Sequence, residues 1–307
     1  MDILFHISYH TISEHEMQWT LDPDTSLIQY TCFSGLFCYD MEVMMIEDTA
    51  IINSSNNEAA REKSSAQDPE IEAMMKAGVH FGHAKTKNHP SMSPYFFGTR
   101  NTITLLDLVK TKEKLHEAQT FLSVCVKNGG VVLLVGTRPA GRLVVKEMAE
   151  KTQMPYIAER WIGGLLTNFK VVAKRIAYMQ FLQQEKESGG LQKYTKKEIM
   201  QKDAERVRLE KYFGGVRQLT KLPNALFVID VIHDSTAVRE AKRLGIPVVA
   251  LADTNSDIRD IMYPIPANDD ALPALRFMTG EIVSAITEGV RNRVSEAIPR
   301  ENTKESQ

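Results

Sequence analysis

The segment Arg160–Phe169, RWIGGLLTNF, combines residue types that suit the binding of nucleic acids. An arginine can hold a phosphate, and a tryptophan can stack on a base. Two adjacent glycines let the backbone approach a bulky ligand closely. The same residues also fit a tight strand-to-helix connection with Trp161 in the core, because aromatic side chains mostly serve packing. The segment alone leaves both interpretations open.

The loop Gly136–Leu143 follows an apolar run and precedes a predicted helix, as a phosphate-binding loop would. Such a loop ends in Lys and Ser/Thr, which bind the phosphates and magnesium. Arg142 and Leu143 occupy those positions, and Pro139 removes one backbone N–H. No GxGxxG follows a predicted strand, so the sequence indicates neither nucleotide hydrolysis nor dinucleotide binding. The N–H groups of residues 137–140 remain a candidate site for a nucleic-acid backbone phosphate.

Histidine and aspartate residues offer a possible metal site. His80 and His83 are three residues apart, and Asp230 and Asp253 lie at the ends of predicted strands. His-x-x-His without a HExxH helix is a weak signal for metal. We favour histidines that pack or contact phosphate, and we expect no cofactor and no catalytic residue. A metal-binding or enzymatic α/β domain and a pure protein-interaction adaptor remain the alternative functional classes.

The net charge of -2 averages two unlike parts of the chain. Residues 1–66 carry 2 Lys/Arg against 11 Asp/Glu, whereas residues 67–307 carry 35 against 28. The excess is concentrated in residues 160–221, with 14 basic and 6 acidic residues. Such a local positive field suits a polyanion, although a basic helical arm can also serve only solubility.

The compartment follows from cysteine usage and from the apolar runs. Cys32, Cys38 and Cys125 show neither the spacing of a disulfide framework nor that of a zinc module. The first thirty residues are acidic and lack the features of a secretory signal. The longest strongly apolar stretches are of strand length, too short to span a bilayer. We therefore predict a cytoplasmic protein without a membrane partner.

Strand-like apolar runs alternate with amphipathic helical segments from residue 69 onward. Continuous apolar runs such as Val131–Val135 are typical of strands buried on both faces of a parallel sheet. The alternation predicts an α/β fold with a doubly wound parallel sheet. The predicted strands are 103–108, 131–137, 155–158, 225–231, 247–252 and 263–265, and the predicted helices are 69–77, 111–127, 140–151, 236–244 and 273–292.

A basic helical insertion interrupts this alternation. Residues 168–187 carry apolar side chains at helical spacing, and Ser188-Gly189-Gly190 ends that helix. Thr195 and Glu198 form a capping-box pattern that opens a second helix. Narrow apolar seams on both helices predict a protruding coiled-coil hairpin. The seam residues are Phe169, Val172, Ile176 and Met179 on the first helix and Met200, Ala204 and Val207 on the second.

These features divide the chain into four parts. Residues 1–66 are predicted to form a disordered acidic extension, or to precede the true start of the protein. Residues 67–167 and 222–295 form the α/β domain, residues 168–221 form the hairpin, and residues 296–307 form a disordered tail.

Several motifs, taken in order, resemble the S-two family of bacterial small-subunit ribosomal proteins over about residues 68–292. They include AGVHFGH (77–83), HPSMSPYFFGTRN (89–101), RWIGGLLTNF (160–169), LPNALFVID (222–230) and YPIPANDDA (263–271). The resemblance implies a flavodoxin-like three-layer domain with a helical hairpin, bound to small-subunit ribosomal RNA near the head–body junction. It also implies a structural role in subunit assembly and translation, with neighbouring ribosomal proteins and ribosomal protein S-one as partners. The stretch 84–91 departs from the family's usual Trp-Asn-Pro-Lys run.

Basic, amide and aromatic residues of these motifs are the predicted RNA contacts. Structured RNA is recognised mainly through its backbone and riboses, so cations should dominate. The predicted contacts are His80, His83, Lys85, Lys87, Arg100, Asn101, Arg138, Arg160, Trp161, Asn168, Lys170, Lys174 and Arg175.

Overall fold

A computed structural model describes residues 18–21, 28–31 and 68–297 of the chain. The chain divides into two units, residues 1–62 and residues 63–307. In the first unit, strands β1 (Gln18–Leu21) and β2 (Ile28–Thr31) pair antiparallel, with Gln18 opposite Thr31. The rest of the predicted extension 1–66, and the predicted tail beyond Ala297, lie outside the described residues.

A five-stranded parallel sheet forms the centre of the second unit. Its strands are β6 (Val132–Val135), β7 (Tyr156–Ile157), β8 (Ala225–Val228), β9 (Val248–Ala252) and β10 (Tyr263–Pro266). Their order is β10-β9-β8-β6-β7, and every pairing is parallel. Counted along the chain, this is the 2-1-3-4-5 order of flavodoxin-like folds. The predicted fold class is therefore confirmed.

Helices cover both faces of this sheet. One face packs against α1 (Pro69–Ala77), α2 (Leu108–Lys127), α3 (Pro139–Thr152) and α7 (Leu272–Ala297). The other face packs against α6 (Ser235–Leu244) and against the base of a helix pair, α4 (Phe169–Glu187) and α5 (Lys196–Phe213). Strands β6, β8 and β9 are buried along their whole length, which explains their uninterrupted apolar sequences.

Capping residues set the helix ends, and they account for small differences from the predicted bounds. The Asp107 side chain accepts the Val109 N–H at 3.0 Å, so α2 begins at Leu108, inside the predicted strand 103–108. Gly245, with φ +69°, ends α6 as predicted. Helix α7 runs five residues past the predicted end at Asn292. No helix in the described part of the chain has both the length and the apolar composition needed to cross a bilayer.

A small antiparallel sheet precedes the parallel one, and only the segment 103–108 of it was predicted as a strand. Its strands are β3 (Phe81–Ala84), β4 (Phe96–Arg100) and β5 (Ile103–Leu106), in the order β3-β5-β4. Asn101 and Thr102 both have positive φ, 48° and 69°, as a two-residue hairpin turn between β4 and β5 requires.

The small sheet is attached to the carboxyl ends of the parallel strands through Thr254. The Thr254 hydroxyl accepts the His83 N–H at 2.9 Å, and its carbonyl accepts the His89 N–H at 2.8 Å. Gly82 makes this approach possible, because a Cβ there would lie 2.3 Å from Cγ2 of Thr254. The position of the small sheet thus depends on a residue without a side chain.

The helix pair has an apolar seam on α4 and a polar one on α5. Val172, Ile176 and Met179 of α4 are buried, as predicted, and the Thr195–Glu198 capping box is present. The predicted α5 seam is wrong, since Met200, Ala204 and Val207 are all exposed. The two helices are instead bridged by polar contacts, which include Lys186–Asp203 at 2.8 Å, Lys202–Glu185 at 3.0 Å and Tyr178–Glu205 at 3.3 Å.

We predict that Gly82→Ala destabilises the protein by about 1–3 kcal/mol, the usual cost of overpacking. The added methyl group would overlap Thr254, which follows β9. Urea unfolding of the full chain measures this change.

The matched control is Gly98→Ala in β4, where a Cβ meets no atom within 4 Å. A second change, Thr254→Ser, removes Cγ2 and should restore part of the stability to Gly82→Ala. Equal unfolding midpoints for the Gly82 and Gly98 variants would refute the close-approach argument.

Candidate nucleic-acid interface

A single carboxylate on α6 organises the segment Arg160–Phe169. Glu240 is buried, with 9% of its surface exposed, and accepts five hydrogen bonds from this segment. The donors are Trp161 Nε1 at 3.1 Å, Gly164 N at 2.7 Å, Leu166 N at 3.0 Å, Thr167 N at 3.1 Å and Thr167 Oγ1 at 3.2 Å. Gly164 has φ +87°, a conformation that glycine adopts without strain.

These contacts place Trp161 in the core. Its side chain packs with Leu165 and Leu166 against the parallel sheet, and its N–H is used by Glu240. The structure therefore supports the packing interpretation, and a contact of Trp161 with RNA stays a prediction. Burial raises the pKa of Glu240, but the hydrogen bonds from Trp161 and the backbone outweigh it, so the pKa lies below its ordinary value.

The other polar residues of the segment face solvent at a cleft of about 580 Å³ beside the base of the helix pair. Arg160 and Asn168 are exposed and line this cleft together with Arg175. Arg208 and Tyr212 of α5 line its opposite side and were not predicted. Their signal in the sequence was the i, i+4 spacing that brings both to one side of α5.

The cations around this cleft are not neutralised within the described part of the chain. Arg160, Arg175 and Arg208 make no ion pair with any described residue. The same holds for Lys170 and Lys174 on exposed positions of α4. We call these five residues the hairpin-base cations. Unpaired, exposed cations keep their full charge for an external anion.

A second group of predicted residues lies at one end of the small sheet. Ala84 and Arg100 both pair with Ile103, and the Lys85 N–H donates to the Thr102 carbonyl at 2.9 Å. This brings Lys85 and Lys87 next to the turn that carries Arg100 and Asn101. All four side chains are exposed, and the three cations form no ion pair with a described residue. We call these four residues the sheet-end group.

Arg138, in contrast, is neutralised at the carboxyl edge of the parallel sheet. Its guanidinium lies 3.2 Å from Asp230, 3.4 Å from Asp269 and in contact with Asp270. Arg138 is therefore not an unpaired cation, and its contact with RNA stays a prediction. The Thr137 N–H, a predicted phosphate donor, instead binds the buried carboxylate of Asp234 at 3.2 Å.

The two predicted histidines also serve internal contacts. His83 Nδ1 lies 3.0 Å from Asp253, and Nε2 lies 3.4 Å from Asp270. The hydrogen bond to Asp253 raises the pKa of His83. The His80 ring lies against the Phe81 ring, with centroids 4.0 Å apart and planes tilted by 38°, and burial lowers the pKa of His80. Neither imidazole is a free surface group.

The candidate metal ligands do not converge. Among the described residues, no group of three or more His, Cys, Asp or Glu side chains could hold an ion. Asp230 pairs with Arg138 and caps the backbone N–H groups of Ile232 and His233, both at 2.9 Å. Asp253 binds His83 instead. A metal site built from His80, His83, Asp230 and Asp253 is therefore not supported.

Asp269 is the most perturbed acid of this edge. Burial, together with the charges of Asp230, Asp253 and Asp270, raises its pKa to about 8. Arg138 opposes this rise but is shared among three carboxylates. In an open parallel α/β sheet, ligands bind outside the carboxyl ends of the strands near the switch in strand order. Here that crevice, between β6 and β8, is occupied by the protein's own charged side chains.

We predict that Glu240→Gln destabilises the protein by about 3 kcal/mol, because one acceptor oxygen becomes a donor facing buried N–H groups. Glu288→Gln on α7, at an exposed position, is the matched control and should change the midpoint little. Urea unfolding at neutral pH compares the two.

The pH dependence of the Glu240 effect has a defined sign. A carboxyl with a lowered folded-state pKa stabilises the protein above the unfolded value of 4.5, and this contribution is lost as the pH falls through the lower folded value. The stability difference between the wild type and Glu240→Gln should therefore shrink below about pH 4.5. A difference that grows in acid would contradict the assigned anionic role.

The raised pKa of Asp269 predicts a stability that changes with pH in the opposite direction. With a folded pKa of about 8 against an ordinary 3.8, its protonated form is favoured in the folded state. Stability is therefore lost as the pH rises from about 4 to about 8, by at most about 1.4 kcal/mol per pH unit. Asp269→Asn should lack this loss in denaturant unfolding series.

Asp257→Asn is the control for this series. The Asp257 carboxyl has a pKa lowered to about 2 and stays ionised over the whole range, so its removal should leave the slope unchanged. A wild-type slope retained in Asp269→Asn would refute the assignment.

Comparison with known proteins identifies the family of this chain. Residues 74–289 match the family model described as ribosomal protein S2. The chain is 43% identical to small ribosomal subunit protein uS2 of Syntrophobacter fumaroxidans over 235 residues, 76% of this chain and 85% of that protein. It is 44% identical to uS2 of Desulfatibacillum aliphaticivorans (71% and 74% covered) and 43% identical to uS2 of Phocaeicola vulgatus (75% and 83% covered). The chain belongs to the ribosomal protein S2 family.

Proposed function

We propose that this protein is a structural constituent of the small ribosomal subunit and binds the subunit's ribosomal RNA through two basic surfaces. The hairpin-base cations form one surface, and the sheet-end group forms the other. Family membership supports the place in the subunit. The observation that carries the RNA contact is the grouping, at these two surfaces, of exposed cations that form no ion pair with a described residue.

The contrast between Arg138 and Arg160 illustrates this support. Both follow strands at the carboxyl edge of the parallel sheet. Arg138 is surrounded by three carboxylates, whereas Arg160 is exposed at the cleft without a described acidic partner. An RNA phosphate would compete with internal carboxylates for Arg138 but would meet Arg160 unopposed.

The cleft suits a phosphate–ribose backbone. Arginine can bind a phosphate in a two-pronged manner, and the Asn168 amide and the Tyr212 hydroxyl can contact phosphate or the ribose 2′-hydroxyl. Gly163 has no atom within 4 Å of the place where a Cβ would stand, so the loop leaves the cleft open. Such contacts recognise mainly the shape and the charge of the RNA, as is usual for the recognition of folded RNA.

The finer assignments rest on the family resemblance. They are the proposals that the protein lies near the head–body junction, takes part in subunit assembly, and has neighbouring ribosomal proteins, including S-one, as partners. Sucrose-gradient sedimentation of cell lysate tests the assignment directly: the protein should migrate with small subunits and leave them when the RNA is digested. Sedimentation apart from the subunit would overturn the proposal.

We predict that the double variant Arg160→Ala/Lys174→Ala weakens binding to small-subunit ribosomal RNA. Each lost phosphate contact removes one released counterion, so the slope of log K against log salt should fall by about 2 in magnitude. Filter binding of the full chain over a salt series measures both quantities.

Lys151→Ala, an exposed cation at the end of α3 on the opposite side of the parallel sheet, is the control and should leave the slope unchanged. If the double variant keeps the wild-type slope and affinity, the hairpin-base cations are not the RNA contact.

A further inference from the structure

Helix α5 is packed against the protein much less than α2, a helix of similar length. Of the 18 residues of α5, all of them described, only Phe213 in the last turn is buried. Helix α2 buries a side chain in every turn from Leu108 to Val126. Most of the stability of a helix in a protein comes from the tertiary packing of its apolar face. The part of α5 before its last turns lacks this source of stability.

The contacts between α4 and this part of α5 are polar. Most of the partners are at least partly exposed, so water and salt compete for them, and such pairs contribute little to stability. The exception is the buried carboxylate of Glu185 on α4, which Lys202 approaches to 3.0 Å. The other pairs are Lys186–Asp203 at 2.8 Å, Arg206–Gln183 at 3.1 Å and Tyr178–Glu205 at 3.3 Å.

Apolar contact between the outer parts of the two helices is small. On α4, Leu182 is 2% exposed but lies beyond the apolar cluster that contains Ile176 and Met179. On α5, Ile199 is the one apolar side chain among the described residues 196–208 that is even half-buried. The outer part of α5 is therefore held mainly by the polar pairs.

The base of α5, in contrast, is anchored. Leu209, Tyr212 and Phe213 pack in the apolar cluster on one face of the parallel sheet. Directly after them, Gly215 lies so close to β7 that a Cβ there would be 2.3 Å from the Tyr156 carbonyl oxygen. A separation of α5 from α4 would therefore begin at the Lys196 end and stop at this base.

The two helices also form opposite walls of the cleft beside the hairpin base. The described residues that line this cleft include three arginines, from the segment before α4 (Arg160), from α4 (Arg175) and from α5 (Arg208). They include one glutamate, Glu205 of α5. Like charges on opposite walls repel each other, and an anion between them removes this repulsion. A phosphate in the cleft thus favours the arrangement in which α5 lies against α4.

We propose that residues 196–207 of α5 open away from α4 in the free protein and that RNA bound in the cleft closes them. This inference rests on the proposed function and adds a coupling between RNA binding and the order of the hairpin. A separate helix of fewer than about 12–15 residues is marginal in water, so the opened part loses its helical hydrogen bonds. Because the closed form places Arg208 opposite Arg175, it binds RNA better than the open form, and by linkage any change that opens α5 weakens RNA binding.

Hydrogen exchange of the full chain, followed by mass spectrometry, tests the opening in the free protein. Amides of residues 197–207 should exchange at least about a hundredfold faster than those in the middle of α2, because local opening needs less free energy than global unfolding. Added salt should speed the exchange in α5 and leave that in α2 unchanged, since only α5 depends on exposed ion pairs. Binding of a transcript of small-subunit ribosomal RNA should slow the exchange of residues 197–207 at least about tenfold.

Asp203→Asn tests the coupling, because Asp203 pairs with Lys186 and Arg206 and does not line the cleft. The variant should speed the exchange in α5 and weaken binding to the transcript about fivefold. Charge alone predicts the opposite sign, since the variant removes a negative charge and RNA is a polyanion. The matched control is Glu147→Gln on α3, which removes an exposed carboxylate paired with Arg276 at 3.2 Å. It should change neither the exchange in α5 nor weaken the binding.

The outcomes separate this inference from the proposed function. Equal protection of α5 and α2 in the free protein would refute the opening. Fast exchange in α5 that persists in the RNA complex would refute the closure, and the proposed RNA binding would stand. An Asp203→Asn variant that binds the transcript as tightly as the wild type, or more tightly, would refute the coupling. If the wild type shows no salt-dependent affinity for the transcript, the proposed function fails and the closure fails with it.

Discussion

The buried Glu240 carboxylate is the interaction on which the arrangement of the hairpin base depends. It joins α6 to the segment between β7 and α4, and it satisfies four N–H groups and one hydroxyl that would otherwise be buried without partners. Because one carboxylate receives donors from four successive parts of the loop, it fixes which side chains point inward. Trp161 turns toward the core, and Arg160 and Asn168 remain at the surface. Without this carboxylate, a loop rich in glycine would have many alternative backbone conformations.

Ion pairing distinguishes the cations that hold elements of this protein together from those at the two surfaces proposed to bind RNA. Lys202, Lys193 and Glu185 form a cluster that joins α5 to the end of α4. Arg138 likewise balances the acids of the sheet edge. Such paired cations contribute to local structure and present little net field to a partner. The unpaired cations at the hairpin base and at the small sheet retain theirs.

The sequence predicted what depends on local periodicity and failed where distant residues decide. Uninterrupted apolar runs revealed β6, β8 and β9, and Gly245 and the Thr195–Glu198 pair marked helix ends. The buried position of the Trp161 side chain depends on Glu240, 79 positions later in the chain, and no local sequence pattern links the two residues. The α5 seam failed because polar bridges such as Lys202–Glu185 can join two helices where apolar spacing points elsewhere. In the small sheet only β5 was predicted, and β3 and β4 lack an alternation long enough to identify.

The strand order of this protein is the one that forms a ligand crevice in flavodoxin-like enzymes. In this protein the same edge of the sheet supports other elements of the fold. Thr137 and Asp234 fill the crevice between β6 and β8, and Arg138 closes its rim with three carboxylates. This explains in physical terms why a member of a ribosomal protein family can keep the fold without its chemistry. Closure of the crevice also anchors the small sheet, since His83 reaches Asp253 and Asp270 from β3. The acids at the carboxyl edge thus hold the small sheet in a fixed relation to the parallel sheet.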